Sequence, residues 1–365
     1  AVECYIVEAY NTGAFEPVTL AYTARVIGTN VYNPTYTWVL SGSATDTLSG
    51  AGALSYVRTL AAGEYVLSLA VTNGDGTVVS APTPRTISIY SDSIYVSLAG
   101  SETLPYNTPA TGFRTLGAAI AYAADGQTIL LTSGTYPATD QLAVAKPITI
   151  RSATGDPGDV VFAPPTDASY ISTSGTWLQI NNAAAIVRDL TFSNTWVRAP
   201  GGYAFTKHVA ITAGTLLNCR LRNLRAGGGA WQSNYCLYLN GANALAERCV
   251  VEGCRPYWVS YFVVNQPVYV NNGTFRNSVV RGNWGYGNVA LACAASAKIY
   301  NNTIVGNTTT EAMSGYLSYA LDNNLFAGTA LYSSSATAGL CQNNVFLNNR
   351  NELDFIGHTQ DYTYV

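Results

Sequence analysis

The first part of the chain consists of short segments in which apolar and polar residues alternate. The clearest are Val18–Val26, Thr35–Leu40 and Gly63–Asn73. Such alternation is typical of strands with one buried face. The run Asn73-Gly74-Asp75-Gly76 is a hairpin-turn signal, because these residues tolerate a left-handed backbone. Short strands separated by turns predict a β-sandwich over residues 1–92.

Some of these segments carry a family resemblance. Tyr36-Thr37-Trp38, followed by Gly63–Leu69 and Thr72–Gly76, is similar to the PKD-type immunoglobulin-like domain. The Gly-Asp-Gly that this family usually has after its tryptophan strand is replaced here by Ser41–Ala44. The resemblance is therefore to a diverged member, and it implies an immunoglobulin-like fold for residues 1–92.

After the predicted sandwich, the apolar residues are spaced as in an α-helix. A helix is predicted over residues 112–124, because four apolar residues fall on one of its faces. These are Phe113, Leu116, Ile120 and Ala123. A strand closed by a glycine turn comes next, at Gln127–Tyr136. One amphipathic helix ahead of a long series of strands is what a solenoid needs to cover its first open coil.

Seven six-residue segments then repeat one pattern. They begin at Asp189, Asn218, Arg248, Asn277, Asn301, Asn323 and Asn343. Their starts are 29, 30, 29, 24, 22 and 20 residues apart, and such a period indicates a solenoid. Second short strands, such as Cys236–Asn240 and Pro267–Asn271, lie between most of them. The fourth position is always apolar, and the sixth is always Asn or Gly, which accept a left-handed backbone.

The second position of the repeat also points inward, because side chains on a strand alternate. Its occupants in order are Leu190, Cys219, Cys249, Ser278, Asn302, Asn324 and Asn344. Three successive asparagines in a core would be costly unless their amides bond one another up the stack. We therefore predict an asparagine ladder, which requires parallel coils in register and about 4.8 Å apart.

These features predict an all-β chain whose second part is a right-handed parallel β-helix. The repeat resembles the pectate-lyase-like superfamily. Ile94–Ser101, the helix and Asp125–Tyr136 resemble the amino-terminal signature of secreted bacterial β-helix repeat proteins. The resemblance covers about residues 94–350 and implies the fold, whereas many chemistries share that fold. The predicted β-helix domain is 93–365, with coils to about 350 and a tail at 351–365.

Composition narrows the class of protein. Apolar residues make up 48% and charged residues 11%, against about 25% charged in ordinary domains, so disorder is excluded. A net charge of −3 offers no polycationic surface for nucleic acid. No apolar stretch approaches the roughly 18 residues of a transmembrane helix. The absence of an initiator methionine and of a leader suggests a mature secreted form with its signal peptide removed.

The cysteines number seven: Cys4, Cys219, Cys236, Cys249, Cys254, Cys293 and Cys341. None forms a Cys-x-x-Cys pair, which argues against a zinc site. Two interpretations stay open. The thiols are buried as small hydrophobic side chains, or one or two disulfides form in an oxidising compartment.

Aromatic and basic residues are concentrated in the long loops that follow the repeat strands. Because these strands are equivalent, the loops should project from one side of the helix on adjacent coils. The candidate substrate-binding residues are Trp196, Lys207, Arg225, Trp231, Arg255, Tyr257, Trp258 and Trp284. A row of tryptophans suits stacking against sugar rings, whose C–H faces are apolar. The alternative is that these aromatic side chains only pack their own loops.

The outward fifth position gives the candidate catalytic residues Arg222, Glu252 and Arg281, one above another. Such a strip could grip the carboxylate or sulfate of an acidic sugar. Resemblance to polysaccharide lyases of this fold implies arginines that neutralise a uronate and a base that removes the C5 proton. The alternative is a solvated ladder of ion pairs worth about 1 kcal/mol or less.

Several familiar catalytic patterns are absent from the sequence. The two histidines are His208 and His358, and no Gly-x-Ser-x-Gly elbow accompanies them. Inverting glycosidases need two carboxylates roughly 6.5–9.5 Å apart, and no Asn-x-Asp or Asp-Asp pair of the polygalacturonase type is found. The aspartate cluster of calcium-dependent pectate lyases is missing too. We expect no cofactor; Ca²⁺ stays an open alternative without a ligand cluster.

Two functions from different classes remain. In the first, the chain is a secreted or cell-surface bacterial polysaccharide lyase or glycosidase that acts on an acidic glycan. In the second, it is a non-catalytic carbohydrate-binding or adhesion protein, for which the scarcity of carboxylates and histidines is the main support. In both, the expected partner is a polysaccharide or glycoprotein glycan, and the chain is expected to be a monomer.

Overall fold

The structure is a computed structural model. It describes residues 2–12, 15–138, 141–163, 175–193, 207–224, 234–254, 265–283, 289–305, 307, 311–315, 321–322, 325–327, 341–347 and 360–364. The chain divides into two compact units, Ala1–Tyr95 with Gly100–Phe113, and Val96–Ala99 with Arg114–Val365.

The first unit is a β-sandwich of eight strands in its described part. They are β1 (Glu3–Asn11), β2 (Val18–Ile27), β3 (Thr35–Gly42), β4 (Asp46–Gly50), β5 (Ser55–Leu60), β6 (Gly63–Thr72), β7 (Val78–Ser80) and β8 (Arg85–Ile89). One antiparallel sheet has the order β1-β2-β5. In the other, β3 pairs with β4 and β6, and β6 also pairs with β7 and β8. Apolar residues from both sheets form one core.

Two sequence features of the sandwich are confirmed. Trp38 is fully buried, and its Nε1–H donates to the carbonyl of Ala53 at 2.8 Å. The predicted turn joins β6 to β7, with the Gly76 N–H donating to the Asn73 carbonyl at 2.9 Å. Gly76 has a φ of 88°, which only glycine adopts readily. Membership of the PKD family stays a prediction.

The second unit contains the predicted helix, but the helix is shorter than expected. It runs Leu116–Tyr122 (α1) instead of 112–124. Thr115 is its N-cap and accepts the Ala118 N–H, so the helix begins there. At the other end, the Lys146 ammonium donates to three carbonyls of the last turn, those of Ile120, Ala121 and Ala123. A cation at a helix C-terminus stabilises it.

The remaining strands stack in parallel. They are β9 (Ser93–Val96), β10 (Thr128–Leu131), β11 (Gly134–Pro137), β12 (Leu142–Val144), β13 (Thr149–Ser152), β14 (Val160–Ala163), β15 (Thr176–Arg188), β16 (Thr191–Ser193), β17 (Lys207–Leu217), β18 (Arg220–Arg222), β19 (Asn234–Glu247), β20 (Val250–Glu252), β21 (Asn265–Arg276), β22 (Val279–Arg281), β23 (Val289–Tyr300), β24 (Thr303–Val305), β25 (Glu311–Gly315), β26 (Leu321–Asp322), β27 (Leu325–Ala327), β28 (Cys341–Leu347) and β29 (Gln360–Tyr364). Strand β29 lies in the predicted tail and pairs with β28, so the stacking continues beyond residue 350.

Each central coil consists of one long bent strand and one short strand. The bent strands β15, β17, β19, β21 and β23 pair with one another in parallel, with register shifts at their bends. The short strands β16, β18, β20, β22 and β24 form their own parallel sheet, called here the short-strand sheet. Parallel strands stacked coil upon coil make this unit a parallel β-helix, as predicted.

The register of the short-strand sheet is the predicted one. Its fourth-position column pairs Phe192, Leu221, Val251, Val280, Ile304, Phe326 and Phe346 in register. The first five of these are fully buried. The corner after the strand is left-handed, with φ of 56° at Asn223, 62° at Gly253 and 59° at Gly282. The corner before it is left-handed too, which was not predicted, and includes Arg248 at 54°.

Of the three residues of the predicted asparagine ladder, the structure describes the side chain of Asn302. Asn302 is buried, and its Oδ1 accepts the backbone N–H of Ser278 at 3.0 Å. Its Nδ2 donates to the carbonyl of Phe275 at 3.0 Å. The amide therefore bonds the backbone of the preceding coil at both of these contacts. Asn324 and the side chain of Asn344 lie outside the described residues.

A second ladder stands one residue beyond the six-residue repeat. Asn283 and Asn307 occupy it, both buried. The Asn307 Oδ1 accepts the Asn283 backbone N–H at 3.0 Å and the Asn283 Nδ2 at 2.9 Å. Asn283 in turn accepts the Cys254 N–H at 2.9 Å and donates to the Val251 carbonyl at 3.0 Å. Both ladders satisfy buried polar groups and tie neighbouring coils together.

The cysteines follow the first of the two sequence interpretations. The six whose side chains are described are buried thiols: Cys4, Cys219, Cys236, Cys249, Cys254 and Cys293. Burial raises the pKa of Cys249 to about 12 and that of Cys219 well above its usual value. These thiols act as small hydrophobic side chains of the core.

Candidate functional site

The short-strand sheet brings the three candidate catalytic residues together. Arg222 pairs with Glu252, and Glu252 with Arg281, in the parallel register of β18, β20 and β22. All three side chains point outward from the sheet, because the residues before them in the strands are buried. Arg281 donates Nε and Nη2 to the Glu252 Oε2 at 2.8 and 2.7 Å. The strip is therefore one neutral ion pair beside a further guanidinium.

Strand β18 carries two outward guanidinium groups, those of Arg220 and Arg222. Both residues are exposed and flank the buried Leu221. Neither forms an ion pair with any residue that the structure describes. The Arg220 Nη1 would be 3.6 Å from a Cβ at Gly158, and the Asp156 Oδ1 3.1 Å from the same point, so of the two groups it is Arg222 that is available to an anion at the strip.

An elongated depression runs along the strip across neighbouring coils. Its lining residues are Arg222, Asn223, Glu252, Gly253, Arg281, Gly282 and Val305. Gly253 and Gly282 have no side chain to cover the edge of the depression. A Cβ at Gly282 would meet nothing within 4 Å. The other outward column of the sheet holds Arg220 on the Arg222 coil and the half-buried Val250 and Val279 on the next two coils.

The strip ends after three coils. Ser193 pairs with Arg222 on one side and is 7% exposed. Val305 pairs with Arg281 on the other side. Charge in this column is therefore limited to the coils of Arg222, Glu252 and Arg281, and the charged part of the depression spans about two strand spacings.

A second ion pair, between Arg276 and Glu247, lies on the bent strands and ties neighbouring coils together. The Arg276 Nη2 donates to the Glu247 Oε2 at 2.8 Å, and its Nη1 to the Tyr300 hydroxyl at 3.1 Å. The Asn277 amide donates to the other carboxylate oxygen at 3.0 Å. The Arg276 guanidinium, with Asn277, holds the pKa of Glu247 below its usual range. Each group here already has protein partners.

This pair predicts a pH dependence of stability. Because the pKa of Glu247 is lowered in the folded state, the ionised carboxylate stabilises the fold. This contribution to the free energy of unfolding is complete above the usual glutamate pKa of about 4.3. The contribution is lost as the pH falls through the lower, folded value. We expect the wild-type chain to lose about 1 kcal/mol more stability than Glu247→Gln between about pH 6 and about pH 3. Urea unfolding of both proteins at each pH checks this, and parallel curves would contradict it.

Aromatic side chains that the sequence reasoning missed surround Lys207. Tyr235 stacks on Tyr238 and on Tyr269, with ring centroids 5.2 and 5.1 Å apart. The Lys207 ammonium lies 5.0 Å from the Tyr238 centroid, within range of a cation–π interaction. Burial raises the pKa of Tyr238 and of Tyr269. The sequence did carry a signal for this cluster, because the segments Cys236–Asn240 and Pro267–Asn271 each have a tyrosine at the equivalent position. These two residues, Tyr238 and Tyr269, pair in the structure.

The other candidate substrate-binding residues lie outside the described residues. They are Trp196, Arg225, Trp231, Arg255, Tyr257, Trp258 and Trp284. His208 is fully buried in β17. No group of three or more His, Cys, Asp or Glu side chains in the described ranges could hold a metal ion. Within those same ranges, no helix has the length and apolar character needed to cross a membrane.

Comparisons with known proteins add little. No protein-family model matches the chain, and no curated protein matches it. Among solved structures, the chain is similar to the family 28 exopolygalacturonase of Yersinia enterocolitica, with 9% identity, 99% of each chain covered and a TM-score of 0.18. At this TM-score the similarity carries no argument, and the fold follows from the strand register.

Proposed function

We propose that the β-helix of this secreted or cell-surface protein binds an acidic polysaccharide along the depression of the short-strand sheet. One observation carries the proposal. Arg222 presents a guanidinium group without an ion-pair partner among the described residues, and the guanidinium of Arg281, which pairs with Glu252, lies two coils further along the same column. An anion is what such a pair of groups recognises.

The surroundings of the two guanidinium groups suit a sugar chain. A guanidinium binds a carboxylate through two parallel N–H donors. The half-buried Val250 and Val279 beside the strip offer an apolar surface to the C–H face of a pyranose ring. The Glu252 Oε1 makes no hydrogen bond with a described residue, so it can accept a sugar hydroxyl.

Catalysis on the bound glycan is the second candidate. The one carboxylate among the lining residues is Glu252, whereas glycoside hydrolysis by the usual routes needs two. A lyase needs a cation to neutralise the uronate and one base, and the next coil to Arg222 carries Glu252. That adjacency favours a lyase over a glycosidase, with Glu252 as the base that removes the C5 proton.

Arg222→Ala tests the binding proposal. A hydrogen-bonded contact to a charged group contributes about 1.5–3 kcal/mol, so we expect the variant to bind polyuronate about tenfold to a hundredfold more weakly. Arg25→Ala is the matched control, because it removes the same charge from an exposed strand position of the sandwich. Isothermal titration calorimetry measures both. Equal affinities of the two variants would overturn the proposal.

The lyase candidate has its own assay. Incubation with a panel of uronate polymers should raise the ultraviolet absorbance as unsaturated products form, and Glu252→Gln should abolish the rise. Binding without any product from any polymer would reject the lyase and leave the binding proposal standing.

A further inference from the structure

The order of charges along the depression carries information on the ligand. Moving along the stack, the outward column presents the guanidinium of Arg222, the carboxylate of Glu252 and the guanidinium of Arg281. Successive coils are about 4.8 Å apart, so the two arginines are about two coil spacings, roughly 10 Å, apart. The negative group lies between them.

A glycan lying along this depression meets one coil with each sugar, because a pyranose ring extends a chain by about the spacing of neighbouring strands. A polymer with a carboxylate on every sugar would place one over Glu252. Like charges at contact distance repel, and the repulsion grows where the surface lowers the local dielectric constant. A polymer with a carboxylate on every second sugar avoids that contact.

The partners of Glu252 and Arg281 fit the same arrangement. Arg281 donates Nε and Nη2 to Glu252, while its Nη1 makes no hydrogen bond with any described residue. That nitrogen can bind a second carboxylate. The Glu252 Oε1 faces the intervening sugar, where a neutral ring supplies hydroxyl or amide hydrogens to donate.

We propose that the depression selects a glycan in which acidic and neutral sugars alternate, over a glycan that is acidic at every sugar. This rests on the proposed function and names its ligand class. The recognising chemistry is one carboxylate at Arg222, one neutral sugar at Glu252, and one carboxylate at Arg281.

Two hexasaccharides provide the test. A hyaluronan hexasaccharide has a carboxylate on every second sugar, and hexagalacturonate has one on each. We expect the wild-type chain to bind the hyaluronan hexasaccharide about fivefold to tenfold more tightly at physiological ionic strength, about 0.15 M, although it has half the charge. Glu252→Gln should raise the affinity for hexagalacturonate about tenfold and thereby remove the preference for the alternating glycan. Glu247→Gln, on the same coil but on the bent strand, is the control and should keep the wild-type preference.

The outcomes separate this inference from the proposed function. If Arg222→Ala weakens binding but hexagalacturonate binds wild type as tightly as the alternating glycan, the alternation is wrong and acidic-glycan binding stands. If Glu252→Gln leaves the preference unchanged, the role of Glu252 is likewise wrong. If no acidic glycan binds in an Arg222-dependent manner, the proposed function is wrong, and this inference, which rests on it, is wrong too.

Discussion

Replacing Asn283 with alanine is expected to destabilise the β-helix by about 3–5 kcal/mol. The Asn283 side chain accepts the backbone N–H of Cys254 and donates to the carbonyl of Val251. Both groups belong to the preceding coil and are buried with it. Without the amide, both backbone groups would be buried without a hydrogen-bond partner. Each such unsatisfied group costs about 1–3 kcal/mol of stability. The lost volume adds a cavity term.

Urea unfolding monitored by circular dichroism measures this effect, and Asn181→Ala is the matched control. Asn181 lies on β15 and is exposed, so its replacement should change the free energy of unfolding by about 0.5 kcal/mol or less. The same chemical change is thus made once inside the stack and once on its surface. If the two variants unfold at the same urea concentration, the ladder does not stabilise the coils.

The sequence predicted the register of the coils because two physical requirements repeat at fixed positions. The inward column from Phe192 to Phe346 must be apolar, and the corner after the strand must accept a left-handed backbone. Both constraints act on single residues, so both are visible in a single chain. The fold follows from them, since only parallel strands stacked in register bring equivalent positions together.

The second ladder and the preceding corner were missed for different reasons. Asn283 and Asn307 lie one residue beyond the six-residue segments, just past the left-handed corner. The corner before the strand is Asn or Asp on four described coils, at Asp189, Asn218, Asn277 and Asn301, so its signal was present and was not used. Arg248, with φ of 54°, is the exception. Its conformation is imposed by the coils above and below, as tertiary context overrides local preference.

The candidate site was predictable only in part. Register alone places Arg222, Glu252 and Arg281 in one outward column, and the structure does the same. The choice between a ligand groove and an ion-pair ladder depends on side-chain conformations, which sequence does not determine. In the structure Arg281 pairs with Glu252, while Arg222 forms no ion pair in the described part of the chain. The tyrosines around Lys207 required the register of the bent strands, whose shifts cannot be read from spacing.

Gly273→Ala should be among the most damaging single changes in the β-helix, with an expected cost of about 3–5 kcal/mol. Gly273 lies at the bend of β21 with a φ of 117°. A Cβ there would be 2.6 Å from the Ala244 carbonyl oxygen and 2.9 Å from that of Gly241. Both oxygens are backbone atoms of the preceding coil, so relief requires that the coils separate.

Gly282→Ala isolates the steric part of this cost. Gly282 also has a positive φ, 59°, but a Cβ there would meet nothing within 4 Å. Its replacement should therefore cost only the left-handed strain of about 1–2 kcal/mol. Urea unfolding of both variants gives the difference between their free energies of unfolding. We expect this difference to exceed about 1 kcal/mol, because only Gly273→Ala adds overpacking. Equal destabilisation would mean that backbone strain, and not the close approach of neighbouring coils, requires glycine at the bend.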